Sequence, residues 1–156
     1  MIRIEVHGLP APQGSKRFVG VHGGRGVMIE SSTKVKPWRE DVRHAAARAM
    51  LAESARPENL LHVVNDRLWP LDGPLRVRMI FTLPKPAAAP KRRTTWPMRT
   101  PDLSKLVRST EDALTSAGLW RDDARVVECV SAKRYPGEGD DALQVPGAVI
   151  VIEVVS

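Results

Sequence analysis

Residues 101–135 read PDLSKLVRSTEDALTSAGLWRDDARVVECVSAKRY. From Leu103 onward, Leu103, Leu106, Val107, Thr110, Leu114 and Ala117 recur on one helical stripe, with Asp102 placed to cap the helix and Gly118 to stop it. The opposite side carries Ser104, Lys105, Arg108, Glu111 and Asp112. The segment LWRDDARVVECVSAKRY then reads as a turn into a strand, which puts Asp122 and Asp123 at the strand's start. Such a helix brings its two acidic ends together only if it doubles back onto that strand in a favourable sheet order. Cys129 shares the alternation of Val127 and Ser131, so a buried thiol is expected.

Outward from this stretch, the chain reads as strands around helices. MIRIEVHG alternates Ile2, Ile4 and Val6 with Arg3, Glu5 and His7, the period of a half-buried strand. The loop GLPAPQGSKR follows and delivers Lys16 and Arg17. FVGV, HGGRG and VMIE form a hairpin pattern with Arg25 at its glycine-rich tip. From Ser31 to about Ala55 the residues predict a helix capped by Ser or Thr, with Pro37 in its first turn. Trp38, Val42, Ala45, Ala46, Ala49 and Met50 would face the core, and Arg39, Arg43 and Arg48 would face outward. PLRVRMIFTLP and GAVIVIEVV are two further strands, the second apolar enough to be buried. The run RPENLLHVVNDRLWPLDG between the helix and the first of these strands is a connection without a clear period.

The composition limits the function. The chain has 156 residues, 42% hydrophobic, which suits one domain with a real core spanning residues 1–156. Its net charge is +6 and its pI about 10.0. The charge is uneven: residues 1–108 hold 20 Lys or Arg against 9 acids, and residues 109–156 hold 4 against 9. An acidic pocket within a basic, phosphate-attracting surface follows from that split. A lone cysteine cannot close an internal disulfide, and the N-terminus lacks the apolar stretch of a secretory signal, so a cytoplasmic protein is expected. No apolar run approaches the roughly 18–20 residues of a membrane helix.

Residues 84–101, PKPAAAPKRRTTWPMRTP, hold five prolines, five Lys or Arg and one tryptophan. This composition excludes a regular helix or central strand and makes a semi-extended loop. Lys91, Arg92, Arg93 and Arg99 suit a phosphate backbone, and Trp96 suits stacking on an unpaired base. A solvated linker is the alternative reading. His7, His22, His44 and His62 are scattered, without the spacing of a metal pair.

Residues 101–135 closely resemble the signature of the RusA-type Holliday junction resolvases: an aspartate pair followed by Asn-Leu-x-Lys, then Asp-Ala-Leu, then Asp-Asp-x-x-Val. DALTSAGLW and DDARVV fit without a gap, and GLPAPQGSKR is similar to the family's Pro-rich basic entry loop. The resemblance implies an α+β fold, a small mixed sheet packed against two main helices. It implies a homodimeric endonuclease, often of phage origin, that resolves four-way DNA junctions in recombination or repair by paired nicks. It also implies Mg²⁺, with Mn²⁺ as a substitute, held by aspartates. By position these are Asp102 and Asp123, beside Asp122, while Arg108 stands at the motif's lysine and keeps a cation. Lys16, Arg17, Arg25, Lys91, Arg92, Arg93, Trp96, Arg99 and Lys105 would contact DNA.

The chain departs from the family's pattern at one expected ligand. Ser104 stands where the second aspartate usually lies, and Lys105 where asparagine follows. Three explanations compete. Ser104 binds metal through water while Asp102, Asp122 and Asp123 suffice. Glu111, on the same helical face seven residues on, restores the lost charge across about 10 Å of helix axis. Otherwise cleavage is weak, and the chain is a branched-DNA or single-strand DNA binder.

Overall fold

The computed structural model describes residues 1–14, 16–23, 25–30, 33–59 and 68–155, with the backbone alone for strands 16–22 and 25–30. Strand β1 (Ile2–His7) leads to a two-stranded antiparallel hairpin, β2 (Lys16–His22) and β3 (Arg25–Glu30). Helix α1 (Val35–Ser54), β4 (Leu75–Thr82), helix α2 (Leu103–Ser116), β5 (Val126–Arg134) and β6 (Gly147–Val154) follow. The main sheet runs β1-β6-β4-β5. Its β4–β5 pair is parallel and its other pairs antiparallel, so the sheet is mixed and the fold α+β, as expected. The parallel pair follows from the long connection through α2, since adjacent parallel strands need a crossover.

Register explains the core. Ile4, Ile150 and Met79 stand in one row across three strands, and Ile2, Ile152 and Val77 in the next. All six are buried. α1 lays Trp38, Val42, Ala45 and Ala46 on this face, and Trp38 also packs at a tilt against Phe81, with ring centroids 6.4 Å apart. A buried indole N–H needs an acceptor. Trp38 Nε1 donates to Thr110 Oγ1 at 3.1 Å, joining α1 to α2, while Thr110 donates to the Leu106 carbonyl.

Several expectations change. Arg39 does not face outward; it is half-buried between the helices and pairs with Asp112 at 2.6 Å. The N-cap of α1 is Lys34, with no side-chain capping bond; Ser31 and Ser32 lie outside the described residues. Cys129 is exposed. It ends the Ile2–Ile152–Val77 row on the helix-facing side, but β5 is the sheet edge, beyond full cover. Burial of the thiol and then the charge of Glu111 still push its pKa up.

Candidate active site

α2 begins and ends for local reasons. Gly118 takes φ +74, its N–H bonds the Thr115 carbonyl, and Leu119 N–H reaches back to the Leu114 carbonyl. This is the paired bonding of a left-handed helix stop, and it turns the chain sharply toward β5. At the other end Asp102 is the N-cap residue with extended backbone, yet its carboxylate accepts no capping bond. It is exposed and pairs instead with Lys105 at 3.4 Å.

The approach to Asp102 is tied down from two sides. Lys133 Nζ donates to the carbonyls of Arg99 at 2.8 Å and Pro101 at 3.0 Å. Ser109 Oγ donates to the Ala11 carbonyl at 2.6 Å, and Gln13 N–H to the Lys105 carbonyl at 2.9 Å, holding the loop after β1 against α2. The loop 84–101 is pinned as well. Glu138 accepts from Lys85 and from Thr95 N–H, and the former bond leads in holding its carboxyl below the usual range. Trp96 is 59% exposed, with the Arg134 guanidinium 4.7 Å from its ring centroid. Lys91, Arg92, Arg93 and Arg99 are exposed along this loop.

The second acidic end is a 3-10 turn, Asp123–Arg125, inserted before β5 rather than the strand's own start. Asp122 caps it, Oδ1 accepting from Ala124 N–H at 2.8 Å. The flanking cations turn away from the pair: Arg121 and Arg125 bind Asp72 at 3.4 and 2.9 Å. Asp123 is exposed; its carbonyl accepts from the Val126 N–H, while its carboxylate enters no hydrogen bond or ion pair among the described residues.

Glu111 lies beside this turn. Its carboxyl is half-buried, and its pKa is raised, first by burial, then by the charges of Asp123 and Asp112, against a smaller pull from Arg108. Two carboxylates, Glu111 and Asp123, therefore share a seam between α2 and β5 with Arg108 within electrostatic reach. Asp102 stands nine residues earlier, about 13 Å along the helix axis. Among the described residues no three acidic, histidine or cysteine side chains converge as a ready-made metal cage. One or two carboxylates with water and substrate phosphate are nonetheless the usual donor set for Mg²⁺. The residues fit that ion.

The sequence model of the family described as Endodeoxyribonuclease RusA matches residues 8–145 of the chain. The chain belongs to the RusA family. Membership implies Holliday junction resolvase activity, and these enzymes are generally metal-dependent nucleases acting on branched DNA. It does not favour a protein that only binds DNA. No curated protein matches the chain. Among the described residues no helix is long and apolar enough to cross a membrane.

Of the expected DNA contacts, Lys16, Arg17 and Arg25 have side chains outside the described residues. Their backbones form the hairpin β2–β3, with Arg25 opposite His22. Sequence reasoning missed Lys133 and Lys34. The signal for Lys133 was its β5 alternation with Cys129 and Ser131, which aims it at the helix face. Lys34 became visible only as the residue that enters α1 beside the loops.

Proposed function

We propose that this RusA-family chain acts as one Mg²⁺-dependent endonuclease domain that nicks opposed strands of a four-way DNA junction. The observation that carries this reading is the seam itself: the half-buried Glu111 carboxyl within electrostatic reach of Asp123 and of Arg108. Glu111 takes over the charge missing at Ser104, so the metal centre is shifted along α2 toward the turn. Asp123 and Glu111 would hold Mg²⁺, or Mn²⁺ in its place, with Asp102 at the entry of the helix and Asp122 ordering the turn. When bound, the ion polarises a phosphate oxygen and lowers the pKa of a water.

The chain's own groups do the rest. Arg108 is always charged, so it stabilises negative charge growing on the phosphoryl oxygens and transfers no proton. Lys133 fixes the backbone before Asp102, which sets where the strand enters. Lys91, Arg92, Arg93, Arg99 and Lys105, with Lys16, Arg17 and Arg25 from the hairpin side, attract the phosphates. Trp96 keeps an exposed aromatic ring for an unstacked base.

A homodimer suits the reaction, because two-fold symmetry gives two sites on two equivalent strands. The outer edge of β5 supports it: Val127 and Val130 are 59% and 58% exposed on a strand at the end of the sheet. Recombination or repair in the cytoplasm of a bacterium or phage-infected cell is the matching setting. The test is a labelled synthetic junction incubated with the protein in Mg²⁺ and in chelator. Paired nicks at opposed positions, only with metal, are expected. An intact but retarded junction, or a preference for unbranched single strands, would overturn the nuclease reading.

A further inference from the structure

A cavity of about 560 Å³ lies at the carboxyl ends of β1, β4 and β5, beside the entries of α1 and α2. Its floor and walls are apolar: Leu9 and Pro12 from the loop after β1, Leu83 from the end of β4, and Pro97 and Pro101 from the loop before α2. Tyr135 adds an aromatic ring, and Lys34 and Arg99 are its charged residues. No acid lines it among the described residues. The volume falls within the range of about 300–1,000 Å³ typical of small-molecule sites. Ligand pockets also gather at the carboxyl ends of strands where a sheet has a parallel crossover.

We propose that this cavity receives an unstacked nucleobase of the DNA substrate, close to the phosphate that is cut. The inference rests on the nuclease reading and adds a position where the protein holds a base. Three observations favour this occupant. The wall and the acids share one backbone, since Pro101 precedes Asp102 and Lys133 clamps the carbonyls of Arg99 and Pro101. The opposite wall is bonded to the first two turns of α2, Gln13 N–H to the Lys105 carbonyl and Ser109 Oγ to the Ala11 carbonyl. The charge is one-sided: flat apolar faces and a tyrosine suit a base, while Lys34 and Arg99 suit its flanking phosphates. When a four-way junction is opened, coaxial stacking is interrupted at its centre, where a base can be drawn out. The helix axis advances about 13 Å from Asp102 to Glu111, roughly four steps of duplex rise, so the base lies within about four nucleotides of the cut phosphate.

The test pairs changes in DNA with changes in the pocket, reading binding in Ca²⁺. Single abasic replacements are scanned across four nucleotides on each side of the branch point of a fixed junction. The wild-type chain should lose about tenfold in affinity at one position, the scale of one stacked base. Tyr135→Ala should bind the intact junction about as weakly as wild type binds that abasic one, with little further loss when the two changes are combined. Thr100→Trp, which fills the mouth from an exposed position, should repeat the effect if Tyr135→Ala unfolds. Equal affinity of wild type for every abasic junction, or fully additive losses in both variants, would overturn the pocket and leave the nuclease reading standing. Failure of the wild-type chain to bind any junction would instead remove the reading on which it rests.

Discussion

On the outer face of the sheet Arg76 lies between Glu128 and Glu153, its cross-strand neighbours, and Asp141 is held by both Arg3 and Arg78. At the seam of α2 and the turn before β5, Glu111 lies within electrostatic reach of Asp123, and Arg121 and Arg125 bind Asp72 instead. The two regions set opposite pKa directions. The hydrogen bond from Arg76 holds the Glu128 carboxyl below its usual range, and that from Arg3 does the same for Asp141. Burial and neighbouring acids push Glu111 up. Acids on the outer face are paired with arginines of the fold; at the seam the carboxylates of the proposed ligands Glu111 and Asp123 have no such hydrogen-bonded partner among the described residues.

The largest effect should come from breaking this contrast at its centre. Asp123→Asn should lower junction cleavage by about 10²-fold or more while binding in Ca²⁺ stays within about twofold. Glu128→Gln, an equal charge change on the outer face, should leave cleavage within about twofold. A comparable loss in both variants would erase the distinction between the two regions.

Glu111→Gln comes next, with a loss of roughly 10- to 100-fold, the size expected when a group supporting a metal is removed. Ser104→Asp alone should change the rate little, because Glu111 already supplies the charge, but it should restore activity to Glu111→Gln. If Ser104→Asp raises the rate of the wild-type chain and fails to rescue Glu111→Gln, the substitution of one acid for the other is wrong.

Most of the fold was legible in the residues. Period-2 alternation gave β1 and β4, a continuous apolar run gave β6, and the stripe through Leu106, Thr110 and Leu114 gave α2. Gly118 gave the helix stop, since a left-handed φ favours glycine. Cys129 was misread because alternation reports which side a residue faces and not whether that side is covered. Arg39 was misread because Asp112, its partner, is 73 residues away and on another helix. At the site, the family resemblance named the aspartates but could not tell which of them caps a turn, as Asp122 does, and which keeps a carboxylate unpaired among the described residues, as Asp123 does.

Smaller effects test the paired side. Asp141→Asn should cost about 1 kcal/mol at neutral pH, a fall of roughly 2–4 °C in Tm. Its lowered carboxyl pKa means the stabilisation is present above the ordinary aspartate range and disappears as pH falls through the lowered value, so variant and wild type should converge in acid. A constant difference in Tm down to strongly acidic pH would contradict the ion-pair account.

The sign reverses at Glu111. Its raised pKa favours the neutral carboxyl in the folded chain, so stability is lost as pH rises through the raised value. Metal-free Glu111→Gln should therefore melt slightly higher than wild type near neutral pH and equally below the ordinary glutamate range. Added Mg²⁺ should narrow or invert that gap, and a gap indifferent to both pH and Mg²⁺ would break the comparison.

The most direct measurement is the position of Mn²⁺, located by anomalous scattering, in crystals of the protein. An ion bound by carboxylate oxygens of Asp123 and Glu111, beside Arg108, is the predicted result. An ion held by Asp102 and Asp122 away from Glu111, or found only on the outer face of the sheet, would contradict it.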